Sequence, residues 1–489
     1  MSHSSITGRS RWFALIVLCA GMLMIILDQT VVNVALPSIQ RDLGFTQSSL
    51  AWVVNAYLIP FGGLLLLAGR FGDLVGRKRI VLAGLIVFTV GSFLCGISGT
   101  QLMLIAARFV QGVGGALASA LILGMIVAMF PEPDEQARAI GMFSFVAAAG
   151  GAIGLLAGGV LTQAINWHWI FFVNLPIGVG AVVLATRLLA SERGLGLGAG
   201  ADVVGAVLIT ASLMLSVYTI VGEAAASGWA APRTVVFGAI GVLLFAAFVV
   251  RQATHARPLL PLTIFKSRNL SGANIVQMLM VAGLFGMFFL GSLYLQRVLH
   301  YDALHIGLGF LPVALIIGAL SIDVSARLST RFGARNILLV GLTSMLGGLA
   351  VFAVAPVDAE YVPHILPAMV LLGIGGGLSF PALMTLAMSG ATADDAGLAS
   401  GLVNTTAQVG GSLGLAILAT LSTARSQQLL DGGAATDVAL TEGFHLAFVI
   451  GAGLMLVAIA IAATVLRSQC AERGTAREPL DELLPECAN

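Results

Sequence analysis

The sequence predicts an all-α integral membrane protein, built almost entirely of membrane-spanning helices. Hydrophobic residues make up 58% of the 489 residues and charged residues only 10%, whereas soluble globular domains carry about 25% charged residues. Apolar segments of about 20 residues, the length that crosses a bilayer as a helix, recur along the chain between short polar stretches. So few charges could not cover the surface of an aqueous fold of this length.

Fourteen such segments are present, so we predict 14 transmembrane helices. The predicted spans are residues 12–34, 48–68, 79–97, 101–122, 139–162, 169–189, 203–221, 234–250, 270–290, 304–323, 336–354, 364–386, 398–421 and 445–466. The first span follows a basic start and runs into Asp28 without a small-residue cleavage site. We therefore expect an uncleaved span rather than a signal peptide.

The distribution of Lys and Arg predicts the orientation, because these residues favour cytoplasmic loops. With a cytoplasmic N-terminus, 19 of the 24 Lys and Arg residues fall on the inside. Four fall outside (Arg41, Arg233, Arg297 and Arg425), and Arg108 lies within a span. We therefore predict a multi-pass protein of a bacterial-type cell (inner) membrane with both termini in the cytoplasm.

One loop occurs twice in the chain. After the second span, Gly69–Arg79 reads GRFGDLVGRKR, and after the tenth span, Ala326–Arg335 reads ARLSTRFGAR. The two copies align when Gly76 is placed on Gly333. Internal repeats of this kind are typical of transporters, so the sequence predicts two repeated bundles.

The repeat also predicts the domain layout, because the two copies match only if spans seven and eight are set aside. The predicted parts are an N-terminal six-helix bundle (1–190), a linker with two extra transmembrane helices (191–268), a C-terminal six-helix bundle (269–467) and a cytoplasmic tail (468–489). The alignment places Lys78 on Arg335 and Asp73 on Thr330, so the second copy lacks the acidic residue.

Several spans carry polar side chains, which are costly in hydrocarbon and usually face a cavity or one another. The residues predicted to line a central substrate cavity are Asn33, Asn55, Tyr57, Gln111, Gln277, Asn404 and Gln408. The alternative for each is a hydrogen bond between helices. Spans 3, 11 and 14 carry almost no polar groups beyond Ser and Thr, so we expect them to face lipid.

Four motifs carry a resemblance to a known family. They are Leu27–Pro37 in the first span, the loop Gly69–Arg79, Arg108–Gly112 in the fourth span and Asn166–Pro176 at the start of the sixth. Together they resemble the major facilitator superfamily, in particular its fourteen-helix drug:proton antiporter branch, from about residue 12 to residue 466. The resemblance implies the major facilitator fold and proton-coupled efflux of lipophilic drugs or antibiotics by alternating access.

The chain departs from the family pattern at two positions. The fifth-span motif has Leu155 where the family has a proline, and His168 stands where the family commonly has arginine. The first departure weakens the inference of antiport. The alternative function is therefore an exporter or flippase of a lipid or amphiphilic metabolite on the same fold.

The resemblance and the burial of charge together predict the residues of proton or cation coupling. Asp28 is the first, because burial disfavours the charged form of a carboxyl group and lets it exchange a proton. Arg108 is the second, as its partner. For both, the alternative is a static polar contact between helices. Asp323 is a third candidate, although the sequence favours a boundary residue that touches water next to Arg327.

The resemblance also predicts two sets of gating residues. In the loop after span two they are Asp73, Gly76, Arg77 and Arg79, and in span five they are Gly154, Gly158 and Gly159. We expect Asp73 to contact the positive N-terminus of helix eleven near Asn336, and the basic residues to meet lipid headgroups. The alternatives are a topology signal for the loop and tight static packing for the glycines.

Other classes of function find no support in the sequence. There is no phosphate-binding Gly-x-x-x-x-Gly-Lys-Ser/Thr run, and no nucleophile or metal-ligand cluster. The net charge of +1 provides no basic surface for nucleic acid, and the four cysteines form no framework. We expect no enzyme activity, metal or cofactor. The expected partners are a small lipophilic, cationic substrate, protons and membrane lipids, and we expect the chain to act as a monomer.

Overall fold

The computed structural model describes residues 8–130, 132–190, 194, 196, 201–256, 258–389 and 396–467. Every regular element in these ranges is a helix. The first part of the chain contains α1 (Gly8–Leu43), α2 (Gln47–Val75), α3 (Arg77–Gly96), α4 (Gln101–Met129), α5 (Pro133–Ala164), α6 (Trp169–Phe172) and α7 (Asn174–Leu188). The middle part contains α8 (Val203–Tyr218), a π-helix (Thr219–Ala224), α9 (Ala225–Ser227), α10 (Pro232–Thr254) and a 3-10 helix (Leu262–Lys266).

The last part of the chain repeats the long helices of the first part. Its elements are α11 (Arg268–Arg297), α12 (Ala303–Ala319), a π-helix (Leu320–Val324), α13 (Ser325–Phe332), α14 (Ala334–Phe352), a π-helix (Tyr361–Ile365), α15 (Leu366–Met388), α16 (Ala396–Asp431) and α17 (Thr436–Thr464). We call the side on which α1 begins the amino-terminal side, and the side on which α1 ends the distal side.

Twelve helices of the described residues are long and apolar enough to cross a membrane. Two further predicted spans fall on α5 and α12, whose described apolar parts, Ala149–Ala164 and Ala303–Ala319, are shorter. A multi-pass helical membrane protein is thus confirmed, and the count of fourteen stays a prediction for these two helices. The helices also run beyond the predicted limits. For example, α1 continues past residue 34 because its apolar face continues to the fully buried Ile39.

The helices form two groups that meet along two seams. Within the first group α1 packs against α5 and α7, and α4 packs against α2 and α3. Within the last group α11 packs against α16 and α17, and α14 packs against α15 and α17. The groups meet where α2 contacts α16 and where α5 contacts α12. This packing agrees with two bundles, whereas the predicted domain limits remain predictions.

The two copies of the repeated loop have the same backbone conformation. Gly76 has φ 110° and Gly333 has φ 86°, values that residues with a side chain rarely adopt. Each glycine ends one helix and begins the next, at the α2–α3 and α13–α14 junctions. The sequence alignment of the two glycines therefore corresponds to a real structural equivalence.

The basic residue two positions after each glycine also has the same role in both copies. Lys78 Nζ donates to the carbonyls of Thr186 and Leu189 (2.8 and 2.6 Å), at the end of α7. Arg335 donates to the carbonyls of Ala462 and Ala463, at the end of α17. A cation at a helix C-terminus satisfies free carbonyls and the negative end of the helix dipole. Lys78 therefore caps a helix, which differs from the expected contact with lipid headgroups.

The inserted helices contact both groups. An added methyl on Gly63 of α2 would lie 2.5 Å from Thr210 Oγ1 of α8. Thr420 Oγ1 of α16 donates to the Ile220 carbonyl in the π-helix that follows α8 (3.3 Å). The inserted pair thus lies against the α2–α16 seam, while α10 is the least buried of the twelve long spans.

Candidate functional site

A buried ion pair lies at the centre of the first group of helices. Arg108 Nη1 of α4 donates to Asp28 Oδ2 of α1 at 2.6 Å, and the two side chains are 1% and 0% exposed. Asp28 lies well inside α1, which runs from Gly8 to Leu43, so its carboxylate does not cap this helix. The structure thus brings together the two residues that the sequence predicts for coupling.

The second carboxylate oxygen of Asp28 is also fully engaged. Gln111 Nε2 donates to Asp28 Oδ1 at 2.6 Å, and Asn174 Nδ2 donates to the same atom at 3.1 Å. Both amides also donate to Ser92 Oγ, at 2.8 and 3.4 Å. Asp28 therefore accepts hydrogen bonds from α4 and α7, which satisfies a buried carboxylate that would otherwise be very unfavourable.

Arg108 also contacts α2 and neighbouring side chains. Its Nε donates to the Val53 carbonyl of α2 at 2.9 Å, and its Nη1 donates to Gln111 Oε1 at 2.7 Å. Its guanidinium lies over the Tyr57 ring, 4.5 Å from the centroid, a distance typical of a cation–π contact. The Tyr57 hydroxyl accepts a hydrogen bond from Gln29 Nε2 at 3.2 Å.

This network is formed by Asp28, Ser92, Arg108, Gln111 and Asn174 on four helices. The bond from Arg108 to the Val53 carbonyl adds α2 as a fifth helix. Adding a proton to Asp28 would remove the partner of Arg108 and leave a buried cation without a counter-charge. Breaking a buried ion pair in this way is strongly destabilising, by about 3–5 kcal/mol. Protonation of one atom can therefore drive the rearrangement of α1, α2, α3, α4 and α7.

Sequence reasoning placed some of these residues elsewhere and missed others. Gln111 and Tyr57 were predicted to line the cavity, and in this structure both are fully buried and contact Arg108. Their role at a substrate cavity stays a prediction. Ser92 and Asn174 were not predicted as site residues. The signal for Asn174 was its place in the sixth-span motif, whereas a lone serine in a membrane helix carries no such signal.

Three of the other cavity candidates are neutral amides with hydrogen-bonding atoms that have no partner. Asn55 is fully buried, and neither amide atom has a protein partner. Gln277 Oε1 and Gln408 Oε1 are buried and also without a partner. Gln408 contacts Gly62 at the α2–α16 seam, where an added methyl would lie 2.7 Å from its Cβ. Buried polar atoms without partners are unfavourable, so these groups are suited to hydrogen bond with a ligand or water.

Two cavity candidates have other surroundings. Asn33 Nδ2 donates to the Gln29 carbonyl within α1 at 3.0 Å, and Asn404 of α16 is exposed. Asp323 lies in the π-helix Leu320–Val324, but its side chain lies outside the described residues. Its predicted role in coupling therefore stays a prediction.

The predicted contact of Asp73 with the eleventh predicted span, which is α14 in the structure, is not formed. Asp73 is exposed and pairs with Arg77 one turn away at 3.8 Å, and Asn336 Nδ2 donates to the Phe332 carbonyl at 2.9 Å. Arg79 is exposed. The expected contact joins the two groups of helices, so it depends on how closely their amino-terminal ends approach.

The glycines of α5 divide between two contacts. Added methyl groups would lie 3.0 Å from the Leu27 carbonyl at Gly154 and 2.8 Å from the Val31 carbonyl at Gly158, so both pack on α1 beside Asp28. Gly159 instead faces the carbonyl of Ala303, the first residue of α12, at 2.9 Å. The α5 helix therefore contacts the Asp28 segment with one face and the other bundle with another.

Leu155, at the position of the family's proline, lies in the same seam. It is 1% exposed, and its carbonyl would lie 2.6 Å from a methyl group added to Gly307 of α12. The helix runs without interruption from Pro133 to Ala164. A leucine here keeps the backbone N–H that a proline would remove.

Gln47 also joins the two groups, on the distal side. Arg297 Nη1 at the end of α11 donates to Gln47 Oε1 at 3.1 Å, and Gln47 Nε2 donates to Ser422 Oγ of α16 at 3.4 Å. With Gly159 and Gly307, these contacts bring the distal ends of the two bundles together. Sequence reasoning did not identify Gln47, because a glutamine at the start of a helix is common.

Comparison with known proteins agrees with this architecture. Residues 18–415 match the family profile of the Major Facilitator Superfamily. The chain is 37% identical to a puromycin resistance protein of Streptomyces alboniger over 465 residues, which cover 94% of this chain and 92% of the relative. It is also 37% identical to a cephamycin export protein of Amycolatopsis lactamdurans over 457 residues, covering 93% and 92%.

A solved structure of an auto-inhibited peptide transporter of the POT family has the same fold. It superposes with a TM-score of 0.67 at 15% identity, covering 95% of this chain and 98% of the other. The family match and the relatives named for drug resistance or export identify a membrane transporter rather than an enzyme. This chain belongs to the Major Facilitator Superfamily.

Proposed function

We propose that this transporter exports lipophilic drugs or antibiotics in exchange for protons, by alternating access. The observation that carries the proposal is the buried Asp28–Arg108 pair, at 2.6 Å and almost without exposure. Ionisable residues within a membrane are costly and usually mark a functional site, and the Asp28 carboxylate is the group that can exchange a proton. The names of the relatives, which include puromycin resistance and cephamycin export, support a drug-like substrate.

The cycle uses the contacts of α1 and α5. A proton that arrives from the distal side adds to Asp28 and releases Arg108, and α1 moves as the network rearranges. Gly154 and Gly158 pack directly on α1, so α5 follows, and Gly159 transmits the movement to α12. When the amino-terminal side is open, Asp28 returns the proton to that side and the ion pair forms again. In this structure the distal ends of the two bundles are in contact, and the contact between Asp73 and Asn336 on the amino-terminal side is not formed. Both observations support the assignment of this structure to a state that is open to the amino-terminal side.

The substrate meets neutral groups in this proposal. Asn55, Gln277 and Gln408 provide buried amide atoms without partners, and a mostly apolar site with a few polar groups suits lipophilic molecules. The expectation of a cationic substrate depended on an accessible carboxylate, and Asp28 is fully occupied by its three donors. We therefore include no charge in the proposed substrate. The amino-terminal side faces the cytoplasm, lipids surround the helices, and one chain is the functional unit.

Everted membrane vesicles test the proposal directly. Wild type should accumulate a fluorescent drug when a proton gradient is imposed, and a proton uncoupler should abolish accumulation. Asp28→Asn should abolish gradient-driven accumulation while the protein still binds drug. A fluorescent phospholipid in parallel vesicles tests the alternative of a lipid exporter. Accumulation by wild type that persists with the uncoupler would exclude proton coupling.

A further inference from the structure

A second polar site lies on the distal side, well away from Asp28. A cavity of about 660 Å³ opens there, between the ends of α1, α5 and α11 and the loop that follows α11. Its polar lining includes Gln40, Arg41, Gln163, Arg297 and His300. Because it lies between the two bundles, a ligand in this cavity would contact both.

The charge in the cavity is positive and largely uncompensated. Among the described residues, neither Arg41 nor Arg297 forms an ion pair. Arg41 Nη2 lies 3.5 Å from Ser38 Oγ, and Arg297 donates to the neutral Gln47 at 3.1 Å. The lining also contains one carboxylate, Asp302, whose Oδ1 accepts the backbone N–H of His305 at 2.8 Å and lies 2.7 Å from the His305 ring nitrogen. The two arginines therefore exceed it by one positive charge.

The sequence and the backbone both mark this place as unusual. Arg41 and Arg297 are two of the four basic residues that the topology places outside, where Lys and Arg are disfavoured. Although they are far apart in the sequence, they line one cavity. His300, on the same lining, has φ 58°, and it is the one described residue other than glycine with a positive φ. Such conformations cluster at binding sites.

We propose that this distal cavity binds the phosphate or carboxylate group of an amphiphilic anion. Planar guanidinium groups match these two anions in geometry and in charge. Pro37, Phe45 and Tyr301 provide apolar surface in the same lining for the rest of the molecule. The anion comes either from a phospholipid of the distal leaflet or from a soluble amphiphile, and both present the same chemistry to the arginines.

The site also has a consequence for the distal contact between the bundles. Arg297 hydrogen bonds with Gln47, which also reaches Ser422 of α16. A bound anion competes for the same guanidinium and draws it away from Gln47. Occupancy of the cavity therefore loosens the distal contact and favours opening on that side.

Binding to the full-length chain tests the site, with one arm for each source of the anion. The soluble arm measures octyl phosphate by titration calorimetry in nanodiscs of phosphatidylcholine. The lipid arm measures retention of phosphatidylglycerol by native mass spectrometry. Wild type should bind at least one of the two probes, and the double variant Arg41→Gln, Arg297→Gln should bind it at least about tenfold more weakly.

The chain provides a matched control in its other two distal arginines. The double variant Arg233→Gln, Arg425→Gln removes the same charge from the same side but from outside the cavity, and should bind within about twofold of wild type. If Arg297→Gln does not fold, Arg41→Gln alone, at an exposed position, decides the test. Failure of wild type to bind either probe, or equal losses in the two double variants, would overturn the proposal.

A third variant separates binding from simple structural support. Gln47→Ala leaves both arginines in place and frees Arg297 from its neutral partner. The anion should then bind several-fold more tightly, because it no longer competes with Gln47. Unchanged or weaker binding by Gln47→Ala would disprove the competition between the anion and the distal contact.

Discussion

The Asp28–Arg108 pair should behave as a strongly coupled unit, and a double-mutant cycle measures this. At 2.6 Å, two opposite charges attract each other by about 6 kcal/mol if the effective dielectric constant is about 20. The loss of solvation offsets much of that attraction. However, removal of one partner leaves the other charge buried, so Asp28→Asn and Arg108→Gln should each destabilise the fold by about 3–5 kcal/mol.

The double variant is the informative one. Because it has no unpaired charge, its loss of stability should be smaller than the sum of the two single losses, with a coupling free energy of at least about 2 kcal/mol. Unfolding in mixed dodecyl maltoside and SDS micelles, followed by circular dichroism, provides the four free energies. Additive losses would refute the reasoning, since they would mean that the two charges do not depend on each other. The variant Ser92→Ala removes a neutral partner of the network and should lose only about 1 kcal/mol.

Three further predictions concern other contacts. Lys78→Met should lower the free energy of unfolding by about 1 kcal/mol through loss of the cap on α7, as measured in the same micelles. Burial raises the pKa of Asp202, but hydrogen bonds from Arg251 and other donors lower it more, so its net pKa lies below the ordinary value. Asp202 therefore stabilises the fold above its unfolded pKa, and the gap in melting temperature between wild type and Asp202→Asn should close as the pH falls through its folded pKa. Gly159→Val should slow drug accumulation in vesicles, because overpacking of the seam costs about 1–3 kcal/mol, whereas Gly151→Val, at a glycine with open space around it, should transport normally.

The buried charges were predictable from the sequence, and their surroundings were only partly so. Asp28 and Arg108 are conspicuous because both lie well inside apolar spans, and both are in the network. Gln111 lies three residues after Arg108, so its contact with that side chain follows from the helical repeat. The direction in which the pair faces did not follow from it. The repeat predicts only which residues share a face, and it is the packing of the surrounding helices that buries this face.

The gating residues show a different limit. The turn at Gly76 was predictable because a tight turn is local, and the second copy of the loop repeats it. The cap that Lys78 forms on α7 joins residues 108 and 111 positions apart, so the sequence of the loop alone did not predict it. The contact of Asp73 with Asn336 is not local, since it joins two bundles whose separation changes during transport. A single conformation can lack such a contact, as this structure does. The sequence does not indicate which conformation a structure adopts.

The two bundles are equivalent in fold and unequal in charge, and this inequality divides the work between them. The first bundle contains the Asp28–Arg108 pair, whereas Thr330 stands in the second copy of the loop where the first has Asp73. The second bundle contributes neutral amides such as Gln277 and Gln408. In the proposed cycle, a proton on Asp28 therefore acts on the amides of the second bundle through contacts between the bundles. Gly159 at the α5–α12 seam provides such a contact, so variants there should change the coupling of transport to protons while the Asp28 network stays intact.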